Sequence, residues 1–219
     1  MENQAKKRWA MKYAPKVIDE CVFPAKTQAS LKMFVEEQYV PNMLLCGSPG
    51  TGKTTAAKLL AEACDAEVYQ INASLGGVGD IRGAVSSFAS SVSMFGSSKV
   101  VILDEADYLG AKAQAGLRGV IDEFQNNCSF IMTGNYQNKI IEPVRKRLAR
   151  IEIGGIGNEE VDLELKEAIE NRIRHICECE DVEFDEATVK RVVNQQFPNI
   201  RQIIISVEMS LKYGLDVAA

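Results

Sequence analysis

A glycine-rich segment near the start of the chain has the composition and spacing of a phosphate-binding loop. Residues 47–54 read Gly-Ser-Pro-Gly-Thr-Gly-Lys-Thr, which has the form GxxxxGK[ST], and they follow a short apolar run. Glycines allow the backbone N–H groups to surround a polyphosphate, and a helix beginning here adds positive potential at its N-terminus. In such a loop Lys53 contacts the β- and γ-phosphates, and the Thr54 hydroxyl is a ligand of Mg²⁺. The segment therefore predicts a nucleotide site.

Two carboxylates follow another apolar run. Residues 100–103 are apolar, and Asp104 and Glu105 come directly after them. If this run is a strand of the same sheet, both carboxylates lie at its carboxyl edge beside the phosphate-binding loop. Asp104 is then placed to hold Mg²⁺ through water, and Glu105 to polarise the attacking water. An acidic pair by itself is typical of a solvated loop, so its combination with the phosphate-binding loop is what predicts nucleotide hydrolysis.

A polar amide ends a further apolar run. Gly134 and Asn135 follow residues 129–133, and an amide at this edge of the sheet can orient water against a γ-phosphate. The same dipeptide is also common in ordinary turns, so two interpretations of Asn135 stay open at this point.

Alternating strand and helix patterns predict the scaffold that positions these groups. Short strand-like runs alternate with helical stripes, and this alternation predicts an α/β fold with a parallel sheet. The expected strands cover residues 43–46, 68–71, 100–103, 129–133 and 151–153. The expected helical stripes consist of Ala57, Leu60, Ala61 and Cys64, then Ile81, Val85, Phe88 and Val92, then Leu117, Ile121 and Phe124.

The pattern changes after residue 153. Gly154, Gly155 and Gly157 form a flexible break, beyond which the sequence predicts helices but no strand. We expect a domain boundary here, with an α/β domain over residues 1–155 that carries the predicted nucleotide site and a small helical domain over residues 156–219. Three apolar stripes predict three helices in the second domain, and Asp185 is a candidate cap for the second of them.

Composition and charge exclude several classes of protein. The chain has 219 residues, with 25 basic and 30 acidic side chains and a formal net charge of −5. This balance argues against coating nucleic acid through bulk positive charge, so any DNA contact has to be local or made by an assembly. Apolar runs are too short for a membrane helix, and the N-terminus does not read as a signal peptide. The six cysteines, including Cys177 and Cys179 near His175, show no metal-ligand spacing and predict reduced thiols in the cytoplasm.

Over nearly its whole length the chain resembles the AAA+ ATPases. This resemblance is carried by the order of four features, which are the phosphate-binding loop, Asp104-Glu105, Asn135 and the helical C-terminal region. Other segments resemble the sliding-clamp loaders of DNA replication, including replication factor C small subunits. Residues 18–25 and 197–201 look closest to the ATPase subunit of T-even-type bacteriophages. The clamp-loader resemblance is carried by Trp9 with Tyr13-Ala14-Pro15, residues 71–74, Ile81-Arg82 with Phe88-Ala89, and Gln114 with Leu117-Arg118.

This resemblance implies a RecA-like AAA+ domain followed by a three-helix lid, with ATP and Mg²⁺ at their junction. It assigns Lys53 and Glu105 to catalysis, Asn135 to sensor 1 and Arg201 to sensor 2, and Thr54 and Asp104 to Mg²⁺. Ala14 stands where the family usually has an arginine, beside an N-terminal contact near the adenine. The nucleotide-binding residues that it implies are Tyr13, Pro49, Gly50, Thr51, Gly52, Lys53, Thr54, Thr55 and Arg201.

Arg147 aligns with the arginine of the family's Ser-Arg-Cys motif. In the family this side chain enters the neighbouring subunit's site as an arginine finger. Here Lys146 replaces the serine and Leu148 replaces the cysteine, while the guanidinium is kept.

The resemblance also implies partners. They are other loader subunits in a ring, a sliding clamp and primer-template DNA, with no membrane, in the cytoplasm of a cell or of a viral host. There are two alternatives: another AAA+ machine such as a helicase loader, or a scaffold subunit that binds nucleotide without hydrolysing it.

Family members continue into a C-terminal collar that this sequence lacks, so we expect weaker ring assembly. We expect Phe88 and Val92 in the core, with Met94 and Phe95 as candidates for clamp docking.

Overall fold

The computed structural model describes residues 8–74, 78–92, 97–155 and 157–215, with only the backbone described at 78–80. A five-stranded sheet lies at the centre of this structure, in the order β2-β3-β4-β1-β5, and its neighbouring strands are parallel. The predicted α/β fold with a parallel sheet is therefore confirmed. The strands are β1 (Met43–Cys46), β2 (Glu67–Asn72), β3 (Lys99–Asp104), β4 (Ser129–Gly134) and β5 (Ala149–Glu152).

Alternate residues of the three central strands enter two separate cores, as the pleat of a strand requires. On one face Leu44 and Leu103 pack with α4 and α5, and on the other Leu45 and Ile102 pack with α2 and α3. Because both faces are covered, these strands read as continuous apolar runs in the sequence. The helices that cover the sheet are α2 (Ala25–Glu36), α3 (Lys53–Ala63), α4 (Val78–Ser90), α5 (Ala111–Phe124) and the short α6 (Glu142–Arg145).

Three helices follow the sheet and share a third core. Asp185 accepts a hydrogen bond from the N–H of Ala187, which confirms the predicted cap, and Asn158 and Asn199 cap the other two helices. The short α1 (Trp9–Lys12) packs into this core as well, with Trp9 only 1% exposed. The predicted domain boundary at residue 155 stays a prediction. The structure shows in addition that Trp9, near the start of the chain, packs against the three C-terminal helices. These helices are α7 (Glu159–Glu180), α8 (Glu186–Gln196) and α9 (Ile200–Tyr213).

The C-terminal end of α4 corrects one expectation. The prediction that Val92 is buried is wrong, because α4 ends at Ser90 and Val92 is 90% exposed. The buried Lys99 ammonium donates to the carbonyls of Phe88 and Ser91 at 2.8 Å, so it adds a charged donor at the carbonyl end of the helix. Phe88 itself is partly buried and stacks on Tyr69. The docking candidates Met94 and Phe95 lie outside the described residues.

Within the described ranges, we find no helix that combines the length and apolarity of a membrane span. All six cysteines are free thiols.

Candidate functional site

The phosphate-binding loop connects β1 to α3 at the carboxyl edge of the sheet, as the sequence predicts. Gly50 and Gly52 adopt left-handed backbone angles, with φ of 74° and 98°, which side chains other than glycine rarely adopt. A β-carbon on Gly50 would also lie 1.9 Å from the Asn199 side-chain oxygen. Gly52 is the residue before α3, so the free N–H groups of that helix begin at Lys53 and face the site.

The Lys53 ammonium is buried inside the loop. It donates to the carbonyls of Gly47 at 2.9 Å and Ser48 at 2.7 Å, and to the Asn135 side-chain oxygen at 2.7 Å. Burial lowers the pKa of Lys53, while Asp107 and Asp104 oppose that shift. A polyphosphate bound against this side chain would supply the negative charge that a buried ammonium favours.

Asp104 is held at the end of β3 by two hydroxyl groups. The Thr54 and Thr133 hydroxyls both donate to one Asp104 oxygen, at 2.6 and 2.5 Å. The Thr133 hydroxyl also accepts the Glu105 N–H at 3.0 Å, so this threonine connects the two predicted carboxylate positions. Sequence reasoning missed Thr133, although a polar residue next to the end of an apolar strand was a usable signal.

Glu105 has an unusual backbone conformation at the edge of the cleft. Its φ is 57°, in the left-handed region, and a short 3₁₀ turn over residues 106–108 follows it. Residues other than glycine held in this region cost about 1–3 kcal/mol and cluster at functional sites. The hydrogen bond from the Glu105 N–H to Thr133 and the turn that follows hold this conformation in place.

Asp107 is a second residue that sequence reasoning left without a role. It is 5% exposed, and one of its oxygens accepts the N–H groups of Asn135 and Tyr136, both at 3.1 Å. These bonds fix the backbone that follows β4, and the Asn135 amide faces Lys53 from there. The signal was the third carboxylate of the sequence Asp-Glu-Ala-Asp at 104–107, which lies one turn after Asp104.

The start of α9 contacts the phosphate-binding loop directly. The Arg201 N–H donates to the Gly50 carbonyl at 3.3 Å, while the Asn199 side chain caps the helix by accepting the Gln202 N–H at 3.0 Å. The exposed Arg201 side chain lines the cleft beside Lys53. The structure therefore brings Arg201 to the predicted junction, and it adds Asn199 as the residue that packs on the loop.

Two adjoining cavities extend from this loop. A polar cavity runs along the sheet edge, and a second cavity lies between the loop, α9 and the N-terminal residues 10–15. The first combines an ammonium, a hydroxyl and carboxylates, a donor set that fits a polyphosphate with Mg²⁺. Of the predicted residues, Pro49, Gly50, Gly52, Lys53, Thr54, Thr55, Asp104, Glu105, Asn135 and Arg201 line the first cavity, and Tyr13 and Thr51 line the second.

Arg147 is held elsewhere on the surface. Its guanidinium forms two hydrogen bonds with the Asp122 carboxylate, which lower the pKa of Asp122, and one with the Pro143 carbonyl at 2.5 Å. It is not among the described residues that line the two cavities. The structure therefore does not bring Arg147 to the site of its own chain.

Comparison with known proteins agrees with this geometry. Residues 43–154, about half of the chain, match the model of the "ATPase family associated with various cellular activities (AAA)". The chain belongs to this family. Among solved structures, the RuvB Holliday junction branch migration motor of Thermotoga maritima superposes with a TM-score of 0.65 at 21% identity, over 94% of this chain and 68% of that one. At this identity the similarity shows the AAA fold alone.

Curated relatives extend the match beyond the family model. The chain is 40% identical over 196 residues to the sliding-clamp-loader large subunit of Escherichia phage RB69, covering 88% of this chain and 61% of the relative. It is 36% identical over 213 residues to the replication factor C small subunit of Staphylothermus marinus, covering 94% of this chain and 62% of the relative. The chain thus spans about three-fifths of the length of these relatives.

Proposed function

We propose that this AAA protein binds ATP with Mg²⁺ in the cleft, hydrolyses it, and is the ATPase subunit of a sliding-clamp loader. One observation carries the catalytic part: Lys53, Thr54, Asp104, Glu105 and Asn135 surround a single cavity although they come from three separate parts of the chain. The similarity to clamp-loader subunits of phage RB69 and an archaeon supports the biological role.

Each residue has a distinct task in this proposal. Lys53 binds the β- and γ-phosphate oxygens, which replace the Gly47 and Ser48 carbonyls as its hydrogen-bond acceptors. Thr54 and Asp104 would hold Mg²⁺, which would neutralise charge on the phosphates when bound. Glu105 polarises the attacking water, Asn135 orients that water, and Arg201 contacts phosphate from the lid. Tyr13, Thr51 and Thr55 line the nucleoside side.

The partners of this chain follow from the same proposal. Subunits assemble in a ring, Arg147 enters the site of a neighbour, and ATP binding orders the ring around primer-template DNA and an opened clamp. Hydrolysis then releases both. We place this activity in the cytoplasm, which is the host cytoplasm for a phage-encoded chain.

Replacing Glu105 with glutamine is expected to separate binding from turnover. The amide keeps the shape of the side chain but cannot polarise water, so we expect ATP turnover to fall by about 10²–10⁴-fold. The ATP affinity measured by calorimetry should stay within a few-fold of the wild type. Glu123→Gln, which removes an exposed carboxylate from α5, is the matched control and should leave both quantities unchanged. Loss of ATP binding in Glu105→Gln would contradict the hydrolytic role.

DNA and the clamp are expected to act only on the assembled protein. With a net charge of −5 the isolated chain has little bulk attraction for phosphate, so we expect weak binding to primer-template DNA by fluorescence anisotropy at physiological salt. ATP turnover should rise when a sliding clamp, primed DNA and partner subunits are all present. Stimulation by a helicase but not by a clamp would favour a helicase loader, and ATP binding without any turnover would favour a scaffold subunit.

A further inference from the structure

Glu180, at the end of α7, joins the N-terminal segment to the helical region. One of its oxygens accepts the Lys12 ammonium at 2.5 Å and the Tyr13 hydroxyl at 2.7 Å, and the other accepts the Lys212 ammonium of α9 at 3.3 Å. The side chain is only 10% exposed. These donors, Lys12 first among them, lower the pKa of Glu180 to about 2, so the carboxylate is charged at any physiological pH.

Arg172 makes a second attachment, eight residues earlier on α7. Its two terminal nitrogens donate to the backbone carbonyls of Tyr13 and Glu20, each at 2.6 Å. Residues eight apart lie close to one face of a helix because they are separated by little more than two full turns. Arg172 and Glu180 therefore contact the same N-terminal segment, defined here as residues 9–20, from one side of α7.

The same segment is bound to α9 at its start. The Trp9 backbone N–H donates to the buried Glu208 carboxylate at 3.1 Å, and the Trp9 ring lies in the core of the helical region. At its other end the segment packs on α2 and α3, beside the phosphate-binding loop. It thus connects the helical region to the sheet domain by a route other than residues 153–158.

The N-terminal segment also forms one wall of the cavity next to the phosphate-binding loop. Tyr13, Ala14 and Pro15 line that cavity opposite Gly50 and Thr51. Two hydrogen bonds attach this wall to α7, since the Tyr13 hydroxyl is held by Glu180 and the Tyr13 carbonyl by Arg172. Together with the attachments to α9, α2 and α3, the position of α7 therefore contributes to where the wall stands relative to the loop.

We propose that Glu180 and Arg172 are positioning residues that hold the nucleoside-side wall of the cleft on α7, so that lid position sets the affinity for the nucleoside part of ATP. This inference rests on the proposed function, because it requires the phosphates to lie in the polar cavity and the nucleoside in the adjoining one. Glu180 is not among the described residues that line this adjoining cavity, and it acts through Tyr13 and its neighbours. Arg172 holds the Tyr13 carbonyl and also lines the cavity itself.

Two ligands separate the two halves of the cleft in the experiment. Calorimetry measures binding of ATP and of inorganic tripolyphosphate, each with Mg²⁺, to the full chain. For Glu180→Ala and Arg172→Ala we expect ATP affinity to fall about tenfold, the size expected when a charge-assisted hydrogen bond is lost, with tripolyphosphate affinity within about twofold of the wild type. Glu178→Ala, whose side chain is 68% exposed on the same helix, is the control and should bind both ligands as the wild type does.

Folding is monitored in the same samples. Trp9 is the only tryptophan of the chain, so a red shift of its emission reports release of the N-terminal segment while circular dichroism reports the helices. If an alanine variant does not fold, Glu180→Gln and Arg172→Lys keep the approximate size of each side chain, and a loss of ATP affinity of about threefold is expected for them.

The outcomes distinguish this inference from the proposed function. Wild-type protein that binds ATP no more tightly than tripolyphosphate would overturn the nucleoside assignment, and the inference with it. If the wild type binds ATP more tightly than tripolyphosphate, unchanged ATP affinity in folded Glu180 and Arg172 variants would overturn this inference and leave the proposed function standing. An equal loss for both ligands would also overturn it, because that pattern indicates a general structural defect.

Discussion

Replacing Lys53 with alanine is expected to abolish ATP binding at concentrations where the wild type is saturated. The change removes the buried cation that the phosphate-binding loop presents to the β- and γ-phosphates. Hydrogen bonds to charged groups contribute about 1.5–3 kcal/mol each, so loss of two such contacts should weaken ATP binding about 100-fold or more. Calorimetry with ATP and Mg²⁺ measures the effect directly.

The control for Lys53 lies on the same helix. Lys58→Ala removes an exposed ammonium five residues further along α3 and should leave the ATP affinity unchanged. The free protein should stay folded without Lys53, since burial already disfavours the charged form and lowers its pKa. Lys53→Ala protein that is folded by circular dichroism and still binds ATP like the wild type would refute the assignment of residues 47–54 as the phosphate site.

Replacing Arg147 with alanine is expected to nearly silence ATP turnover in an assembled ring. Arginine fingers supplied by a neighbour contribute roughly 10³–10⁵ in rate to P-loop hydrolases, so a loss of that order is expected. Each subunit should keep its own ATP affinity, because Arg147 pairs with Asp122 and Pro143 away from the cleft of its own chain. Lys146→Ala is the matched control, since that neighbouring side chain is 72% exposed.

Mixed rings identify which subunit supplies the guanidinium. Arg147→Ala subunits keep an intact phosphate site, and Lys53→Ala subunits keep an intact Arg147. An interface between one subunit of each kind can therefore combine Lys53 from the first with Arg147 from the second in one complete site. We expect partial recovery of ATP turnover on mixing. Native mass spectrometry confirms that mixed rings form. Mixed rings that stay inactive would exclude Arg147 as a finger in trans and make Arg145 or Arg118 the next candidate.

The Asp122 pair affects how the Arg147 result is interpreted. Both side chains are partly exposed, at 33% and 44%, so water competes with the pair and screens it. The guanidinium can therefore leave Asp122 for a phosphate in a neighbouring subunit at small cost. A large loss of turnover in Arg147→Ala would then report the contact across the interface rather than a loss of folding stability, which thermal unfolding of the variant checks.

The sequence alone was sufficient for the features that depend on residues close together in the chain. The phosphate-binding loop, the strand that ends at Asp104, and the Asp185 cap each lie within a few residues, so local geometry and hydrogen bonding decide them. The alternation of strand and helix patterns likewise predicts a parallel sheet, because parallel strands need a crossover between them. The roles of Arg147 and Arg201 came from family resemblance and stay predictions.

Only the tertiary structure decided which distant residues meet. Lys53 and Asn135 are 82 residues apart, and they come together because the strand order places β4 between β1 and β3. Strand order depends on how whole helices and strands pack, and hydrophobic periodicity does not encode it. The same reason explains why Thr133 and Asp107 were missed, since their partners lie on other elements of the sheet edge.

Contacts between the N-terminal segment and the C-terminal helices show most clearly what local sequence patterns cannot predict. Trp9 and Glu208 are 199 residues apart, and Tyr13 and Glu180 are 167 apart, yet both pairs are hydrogen-bonded. Local patterns reveal that a residue is apolar or charged, but not which buried partner compensates its desolvation. Val92 illustrates the converse, because it continues an apolar stripe while the helix that would bury it ends two residues earlier, where Lys99 donates to the carbonyls of Phe88 and Ser91.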